Sequence, residues 1–475
     1  MESIKTEIVV VGAGPGGYAA AFYAADLGKQ VILVERDKRL GGVCLNQGCI
    51  PTKTLLNSAK LFAHAQHGQS FGVTVEGARY DLAKAMAWKA RTVETLRKGI
   101  SFQFRKAAVE LVQGTARLTG PRTVEVDGRA YAAERILLAT GSSAAVLPVP
   151  GADAPNVMGS TEALEIPSLP QSIAIVGGGY IGMEFATYFA RLGVKVAVIE
   201  MLPEIVPLLD ADVAVLLRRS LPDAEVHRGS RVLSYGADGV KFVREGKEQV
   251  APAERVLVAV GRRPIVDGLG LEAAGVAFDR KGVKVDDRMR TNVPGIWAAG
   301  DITGRSMLAH AASRMGEVAV ADMFPVQGRT RAAEPGMAEA APGAAASGAA
   351  APAPRMRWHA IPWVVYTDPE VAGVGLSEAQ AKEQGRAVKV AKLDLRANAR
   401  FIAENDGVRG MCKVVVDAAS DLVLGVQMIG PYASEIVQGV AVMIEAELRA
   451  RDVREIVFPH PTVSEIVREA LWELA

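Results

Sequence analysis

The chain has 475 residues, of which 49% are hydrophobic and 23% are charged. This length is too great for a single hydrophobic core, so we expect roughly three or four domains. The 54 basic and 53 acidic residues leave a formal net charge of +1, which gives no electrostatic footprint for nucleic acid or an anionic membrane surface. No apolar run reaches the roughly 18 residues of a membrane span. An apolar strand pattern begins at Ile8, which leaves no room for a signal peptide. We therefore expect a cytoplasmic location, with neither a nucleic-acid nor a membrane partner.

The first motif is a predicted strand, a glycine-rich turn and a helix. An apolar run leads into the turn GAGPGG at 12–17, and the next apolar run ends in Glu35. Gly12 permits a tight turn, Gly14 lets the backbone approach a pyrophosphate, and Gly17 lets the helix pack closely on the strand. The helix N-terminus offers free N–H groups to the phosphates, and Glu35 lies where a carboxylate can accept hydrogen bonds from ribose hydroxyls. The pattern predicts a dinucleotide site.

Two of the chain's three cysteines, Cys44 and Cys49, follow in the segment GGVCLNQGCIPTK. Such a pair indicates either two small buried hydrophobic side chains or redox chemistry, because structural disulfides are rare in a reducing compartment. Pro51 suits the first turn of a helix. Cys49 would then lie at a helix N-terminus, where the dipole and free N–H groups favour the thiolate. Lys53 lies one turn further on, where a lysine is usually a solvated surface residue.

The first pattern recurs at the turn GGGYIG, residues 177–182, and its second apolar run ends in Glu200. The interval from first glycine to acid is 23 positions in both copies (12 to 35 and 177 to 200). Chance glycine richness would not reproduce this interval. A carboxylate at Glu200 favours a free ribose 2′-hydroxyl and repels a 2′-phosphate, so we expect NAD rather than NADP. Two dinucleotide sites and a cysteine pair predict electron transfer between two cofactors and a disulfide.

The segment 326–357 is composed mostly of alanine, proline and glycine, with scattered charges. It has few of the β-branched and aromatic residues that a core requires, so it is predicted to be a solvated, flexible insertion. A tolerated surface insertion is the simplest explanation. A docking tether to another protein is the alternative.

Near the C-terminus, the segment FPHPTVSE places His460 between two prolines. Thiol–disulfide exchange needs a group that takes the proton of the incoming dithiol, and histidine is the commonest such group. The alternative is structural, because Thr462 and Glu465 have the spacing of a capping box at the start of the last helix. A capping box does not explain a histidine between two prolines, so we favour a catalytic role.

Together these motifs resemble the flavin-dependent pyridine nucleotide–disulfide oxidoreductases of class I, and within them the branch that oxidises dihydrolipoamide. The resemblance runs from Ile8 to about Ala470. The cysteine segment is similar to the family signature GGTCLNxGCIPSK, with Val43 and Thr52 as departures. Four further segments resemble family motifs: LATGS at 138–142, GRRP at 261–264, TNVPGIWAAGD at 291–301 and MLAH at 307–310.

The resemblance implies that the first site holds FAD and the second NAD, and no metal site is predicted. The residues implied for FAD are Gly12, Gly14, Gly17, Glu35, Lys53, Gly114, Thr140, Gly141, Ser142, Asp301, Met307, Leu308, Ala309 and His310. Those implied for NAD are Gly177, Gly179, Tyr180, Ile181, Gly182, Glu200 and Gly261.

The resemblance also assigns the catalytic roles. Cys49 would be the charge-transfer sulfur beside the flavin, and Cys44 the interchange sulfur that reacts with an external dithiol. Lys53 would pair with Glu184 near the flavin. His460 would be the acid–base residue, oriented by Glu465 and directed at the disulfide of the other subunit. Each active site would then span the interface of a homodimer.

The implied fold class is α/β, with two Rossmann-like dinucleotide-binding domains and a C-terminal α+β dimerisation domain. We expect an FAD-binding domain at 1–149, an NAD-binding domain at 150–280 and a central domain completing the FAD site at 281–325. The flexible insertion at 326–357 and the interface domain at 358–475 follow.

The implied reaction is the oxidation of dihydrolipoamide, free or on a lipoylated protein, with reduction of NAD to NADH. Such a protein substrate would belong to a 2-oxoacid dehydrogenase or glycine cleavage complex. Related families fit less well: mercuric reductases have a C-terminal cysteine pair that residues 469–475 lack, and glutathione-type reductases have basic residues where Met201 follows Glu200. Flavin transhydrogenases lack the cysteine pair, and a flavoprotein used only for binding would not need the cysteines and His460 together.

Two departures from the family lie beside functional positions. Phe458-Pro459 replaces the usual His-Ala, and Ile265 replaces an asparagine. A related low-molecular-weight disulfide therefore remains the alternative substrate.

Overall fold

The computed structural model describes residues 3–221, 223–325 and 354–475. The described residues form two units. The first comprises the described parts of Met1–Cys44, Arg97–Ser143 and Arg263–Met356, and the second those of Leu45–Leu96, Ala144–Arg262 and Arg357–Ala475. Most of the predicted insertion at 326–357 lies outside the described residues, which resume at residue 354. Within the described ranges, no helix is both long and apolar enough to span a bilayer.

A seven-stranded sheet organises the first unit. Its central strand Ile4–Val11 pairs in parallel with Val31–Glu35 on one side and Arg129–Leu138 on the other. Residues 8–11 are almost completely buried, as expected for a parallel strand that is covered on both faces. The other strands of this sheet are Glu110–Gln113, Ala116–Gly120, Thr123–Val126 and Ile296–Ala298. Two short strands, Phe278–Asp279 and Gly282–Val283, form a separate pair.

The helices Pro15–Asp26 and Ala309–Met323 of this unit pack closely together at two glycines. A Cβ atom on Gly316 would lie 2.3 Å from the carbonyl oxygen of Gly16, and one on Gly16 would lie 3.0 Å from that of Ala312. Glycine therefore lets the backbones of the two helices approach each other. A 3₁₀ turn, Gly300–Thr303, precedes the second helix.

The second unit contains a parallel sheet of five strands. In spatial order they are Ala224–His227, Lys195–Ile199, Ser172–Val176, Arg255–Val258 and Val157–Met158. An antiparallel sheet contributes Val240 and Phe242 to the same core as Val176 and Val256. Its strands are Ser230–Gly236, Gly239–Arg244 and Lys247–Pro252. The helices of this part are Cys49–His67, Ser160–Ala163, Tyr180–Arg191 and Ala211–Arg219.

The C-terminal part of the second unit is a five-stranded antiparallel sheet with helices. In spatial order the strands are Trp363–Val365, Val371–Gly375, Val423–Ile429, Met411–Asp417 and Val388–Asp394. Alternate residues Cys412, Val414 and Val416 belong to an apolar core that also includes residues of the last three helices. The helices are Glu378–Glu383, Ala399–Glu404, Ala433–Glu445, Ala450–Arg454 and Glu465–Trp472.

The remaining elements are short or include residues from the sequence ranges of both units. They are the helices Gly42–Gln47 and Leu82–Lys106, the strands Ser142–Ala144 and Arg262–Pro264, and the 3₁₀ turns Gly68–Phe71, Trp358–Ala360 and Leu395–Ala397. The mixed sheet of the first unit, the parallel sheet of the second and the C-terminal α+β part confirm the predicted fold class. The domain boundaries stay a prediction, and Leu45–Leu96, which lies within the predicted domain 1–149, groups with the second unit.

Each glycine-rich turn requires glycine at its last position. A Cβ atom on Gly17 would lie 1.8 Å from the carbonyl oxygen of Gly12, and the same atom on Gly182 would lie 1.9 Å from that of Gly177. No real Cβ contact is this short, so a larger residue would push the helix off the strand.

We predict that Gly17→Ala lowers the free energy of unfolding by about 3 kcal/mol, because overpacking here is against backbone. The measurement is the melting temperature of the purified protein. The control is Gly439→Ala in the helix Ala433–Glu445, where an added Cβ meets open space. Alanine there should raise stability by up to about 1 kcal/mol. Equal melting temperatures for the two variants would contradict the prediction.

Candidate active site

The two glycine-rich turns have the same backbone geometry. Gly12 and Gly177 have φ values of 106° and 107°, a region that L side chains rarely adopt. A Cβ on either would lie 2.4 Å from a carbonyl oxygen, that of Ala139 or Ala259. The third residue of each turn, Gly14 or Gly179, is the N-cap of the following helix. The sequence repeat is therefore a structural repeat.

The acid predicted in each copy bonds back to its own glycine-rich turn. Glu35 accepts from the N–H of Ala13 at 2.7 Å, and Glu200 accepts from the N–H of Gly178 at 2.6 Å. The other oxygen of each carboxylate accepts from the N–H two residues further on, at 2.9 Å from Asp37 and 2.7 Å from Leu202. Each acid thus ties its strand end to its turn, where it can also accept from a ribose hydroxyl.

Three predicted FAD segments come together in the first unit. Ser142 Oγ donates to Asp301 Oδ2 at 2.5 Å, and Thr140 Oγ1 donates to the carbonyl oxygen of Ile265 at 2.8 Å. Gly141 lies between them with a φ of 77°, and a Cβ on it would meet open space. The N–H of Gly114 donates to the carbonyl oxygen of Glu35 at 3.0 Å, so this predicted FAD residue lies beside the first acid.

The remaining predicted cofactor residues lie at helix starts and in one turn. Leu308 is the N-cap of the helix that begins with Ala309 and His310, and Met307 precedes it. Tyr180 and Ile181 begin the helix after the second turn. The carbonyl oxygen of Gly261 accepts from the N–H of Ala145 at 2.9 Å.

The two cysteines lie at successive helices. Cys44 belongs to the helix Gly42–Gln47, and Cys49 is the first residue of Cys49–His67. Both side chains are half-buried. Because Cys49 begins a 19-residue helix, its sulfur lies where the helix dipole favours a thiolate.

Lys53, which is half-buried, forms an ion pair with a buried carboxylate one turn beyond Cys49. Its Nζ donates to both oxygens of Glu184, at 2.9 and 2.8 Å. Glu184 lies on the helix that follows the second glycine-rich turn and is almost completely buried. A buried carboxylate needs such a partner, so the surface-lysine alternative for Lys53 is wrong.

Tyr366 contacts both members of this ion pair. It was not identified from the sequence. Its backbone N–H donates to Glu184 Oε1 at 3.1 Å, and Lys53 Nζ lies 4.5 Å from the centre of its ring. Burial raises the pKa of its hydroxyl, and the negative charges of Glu370, Glu184 and Cys49 raise it further. Tyr366 follows the strand Trp363–Val365, and no local sequence pattern brings it to residues 53 and 184.

His460 and Glu465 form the predicted dyad. His460 Nδ1 lies 3.0 Å from Glu465 Oε1, and Glu465 Oε2 accepts from the N–H of Thr462 at 2.9 Å. The Thr462 N–H, followed by the His460 contact, lowers the pKa of Glu465. An ionised carboxylate only accepts, so Nδ1 carries the proton and Nε2 of the neutral ring is able to receive one.

The capping-box alternative is present only in part. Glu465 accepts the Thr462 N–H, but the helix begins at Glu465 with Ser464 as its N-cap. Thr462 Oγ1 instead donates to the carbonyl oxygen of Pro459 at 2.8 Å. One carboxylate therefore both orders the loop and contacts His460.

Nearly the whole chain is similar to known proteins. The family model described as pyridine nucleotide-disulphide oxidoreductase matches residues 6–316, and the dimerisation-domain model of the same family matches residues 361–471. The chain belongs to this oxidoreductase family. The dihydrolipoyl dehydrogenase of Thermus scotoductus is 38% identical over 98% of this chain and 96% of that relative.

Two solved structures of the family extend the likeness. LpdA from Mycobacterium tuberculosis has a TM-score of 0.85 at 25% identity, covering 99% of this chain and 100% of that one. The HOCl-induced flavoprotein disulfide reductase RclA from Escherichia coli has a TM-score of 0.82 at 27% identity, with the same coverage. Membership of the oxidoreductase family confirms the predicted flavoprotein chemistry and the two cofactors, FAD and NAD.

We predict that the ring of Tyr366 stabilises Lys53 through a cation–π contact. In a double-mutant cycle, Tyr366→Leu should show a coupling of about 1 kcal/mol with Lys53→Met, because the desolvated ring face attracts the ammonium group. The measurement is chemical unfolding of the four proteins. Tyr366→Phe keeps the ring and serves as the matched control, so its cycle with Lys53→Met should show a coupling near zero. Equal coupling in the Leu and Phe cycles would contradict the prediction.

Proposed function

We propose that the chain is a dihydrolipoyl dehydrogenase, which oxidises dihydrolipoamide through a Cys44–Cys49 disulfide and FAD and reduces NAD to NADH. The observation that carries the redox assignment is the Lys53–Glu184 ion pair one helical turn from Cys49. The full-length similarity to the Thermus scotoductus relative supports dihydrolipoamide as the substrate. We propose that the dihydrolipoyl group is carried by a protein of a 2-oxoacid dehydrogenase or glycine cleavage complex in the cytoplasm.

The residues present fit both dinucleotides. A Cβ on Gly179 would project into open space at the start of a 12-residue helix, which is where a pyrophosphate can meet free N–H groups. Gly14 occupies the same place in the first copy. The carboxylates of Glu35 and Glu200 are already fixed at the strand ends, and Asp301 is fixed by Ser142. When bound, FAD would supply the two-electron chemistry that links the cysteine dithiol to the reduction of NAD.

The cysteine pair would perform the exchange with substrate. A substrate thiolate attacks Cys44 Sγ, the Cys44–Cys49 bond breaks, and Cys49 leaves as a thiolate at its helix N-terminus. The second substrate thiolate then attacks the substrate sulfur of the mixed disulfide, which releases the oxidised substrate and the Cys44 thiolate. The two electrons of the substrate dithiol now reside on the cysteine pair, and Lys53 balances the negative charge near Cys49.

His460 would take the proton of the substrate thiol at Nε2, as its contact with Glu465 requires. Its side chain is 71% exposed in a single chain, and Val457 three residues earlier is 91% exposed. Exposed apolar side chains beside a catalytic group indicate a surface that another protein covers. We propose a homodimer in which the partner subunit's His460 completes each disulfide site, and the match to the dimerisation domain supports it.

A reductase of another low-molecular-weight disulfide is the second candidate. Phe458-Pro459 immediately precedes His460, so the wall of the site can differ from that of the lipoamide enzymes. The likeness to RclA, which is named as a disulfide reductase, favours this alternative to a lesser degree because its identity is 27%.

The deciding experiment compares NADH formation from dihydrolipoamide with NADPH oxidation by oxidised glutathione. We expect the first reaction and no appreciable second one. Cys44→Ser should reduce the first by at least about a thousandfold, because the oxygen cannot form the mixed disulfide. Cys412→Ser is the matched control, since that thiol is fully buried, and burial raises its pKa to about 12. Activity of Cys44→Ser near the wild-type level would refute the assignment.

We predict that Val457→Arg produces monomers and abolishes activity. A charge placed at a dimer interface is buried without a partner, which costs several kcal/mol. Size-exclusion chromatography with light scattering gives the mass, and the dihydrolipoamide assay gives the rate. Val146→Arg is the control. Val146 is likewise strongly exposed, at 78%, but it lies in the sequence before the second dinucleotide motif, away from the dimerisation domain. A fully active Val457→Arg monomer would exclude a shared site.

A further inference from the structure

A buried polar pair lies on the C-terminal antiparallel sheet, on the face opposite its apolar core. Lys413 and Gln427 are directly paired across the strands Met411–Asp417 and Val423–Ile429. Both are almost completely buried. Because side chains alternate along a strand, these two point away from the core that contains Cys412 and Val414. A buried lysine and glutamine need specific partners.

The partners of Lys413 come from two segments. Its Nζ lies 2.8 Å from Asp210 Oδ2, 2.8 Å from Glu378 Oε2 and 3.3 Å from Asp212 Oδ2. Burial alone would lower the pKa of Lys413, but hydrogen bonds to Asp210 and Glu378 outweigh it and raise the pKa. The Asp210 carboxylate also accepts the N–H groups of Glu378 and Ala379. Asp210 is therefore fixed from several directions.

Gln427 holds the chain just before and at Asp210. Its Nε2 donates to the carbonyl oxygen of Leu208 at 3.0 Å, and its Oε1 accepts the N–H of Asp210 at 2.9 Å. Both groups of this amide thus bond to the backbone of one segment, residues 201–210. We call this segment the nucleotide-site loop, because it directly follows Glu200.

The middle of the nucleotide-site loop contacts the second glycine-rich turn. The N–H of Val206 donates to the carbonyl oxygen of Gly178 at 2.9 Å, and a Cβ on Gly178 would lie 2.9 Å from Ile205 Cγ2. Val206 has a φ of 44°, which a β-branched residue adopts only where its surroundings impose it. Contacts elsewhere must maintain this conformation.

We infer that Gln427 and Lys413 are positioning residues for NAD: through residues 208–210 they hold the nucleotide-site loop against the glycine-rich turn. The inference rests on the proposed function, because it assigns the second turn to NAD. Glu204 also anchors the loop, through ion pairs of 3.0 Å to Arg218 and Arg228. Loss of the Gln427 contacts should therefore weaken the site without abolishing it.

The test uses the FAD-loaded enzyme and ADP-ribose, which carries the adenosine and pyrophosphate of NAD. Calorimetry should show binding about three- to tenfold weaker for Gln427→Met than for wild type, the range expected for residues that act through a packed network. The KM for NAD should rise by a similar factor, whereas the KM for dihydrolipoamide should not change. Lys413→Met is less suitable, because it leaves the carboxylate of Asp210 buried without its cation.

Lys392→Met is the matched control. Lys392 bonds Asp212 at 2.6 Å at the edge of the same cluster but is 47% exposed, and it should leave ADP-ribose affinity unchanged. If Gln427→Met does not fold, Gln427→Ser, whose side chain is too short to reach the loop, replaces it. A folded Gln427 variant with wild-type ADP-ribose affinity would overturn the inference alone. Wild-type enzyme that fails to bind ADP-ribose would instead remove the proposed NAD site itself.

Discussion

The structure depends on a constraint that occurs twice: a carboxylate at a strand end bonds to the backbone of a glycine-rich turn. In each copy one oxygen accepts from the second residue of the turn and the other from the residue two places after the acid. This arrangement fixes the turn, the strand end and the following helix start as one unit before any ligand arrives. Preorganisation of this kind reduces the ordering cost of binding. It also explains why the interval between glycine and acid is the same in both copies, since the intervening helix and strand must close one loop of fixed size.

Within the second unit, the proposed chemistry depends on the buried carboxylate of Glu184. Glu184 belongs to the helix of the second turn, yet its partner Lys53 belongs to the helix that begins with Cys49. Isolated burial of either group would be costly, and Tyr366 limits the cost by offering Glu184 an N–H and Lys53 a ring face. A lysine on such a rigid support supplies positive charge beside Cys49 at a fixed place, whereas a lysine on the surface would be screened by water and salt. The same helix N-terminus that favours the thiolate therefore has a second source of positive charge one turn away.

The sequence predicted those features of the fold and the site that depend on local patterns of residues. The glycine turns, Glu35 and Glu200 follow from spacing and apolar periodicity. The resemblance to a known family supplied the fold class and the pairing of Lys53 with Glu184. Tyr366 was missed because it lies 182 positions from Glu184 and 313 positions from Lys53 in the sequence. A tyrosine after a strand has no distinguishing signal. The sequence also could not show that the capping box is present only in part. The spacing of Thr462 and Glu465 is compatible with a helix cap or with a catalytic site. The structure shows that the Glu465 carboxylate both accepts the Thr462 N–H and contacts His460.

The C-terminal sheet shows how one element can serve two surfaces. Its apolar face is covered by the last helices, which position Glu465 and hence His460. Its other face presents Lys413 and Gln427 to the segment after Glu200. A pair of apolar residues could fill the same space, often without loss of stability, so stability alone does not explain a buried lysine and amide here. Directional bonds to backbone groups fix register, which apolar packing does not. The polar face therefore sets where a loop lies, while the apolar face sets where an acid–base residue lies, and both depend on the alternation of side chains along two strands.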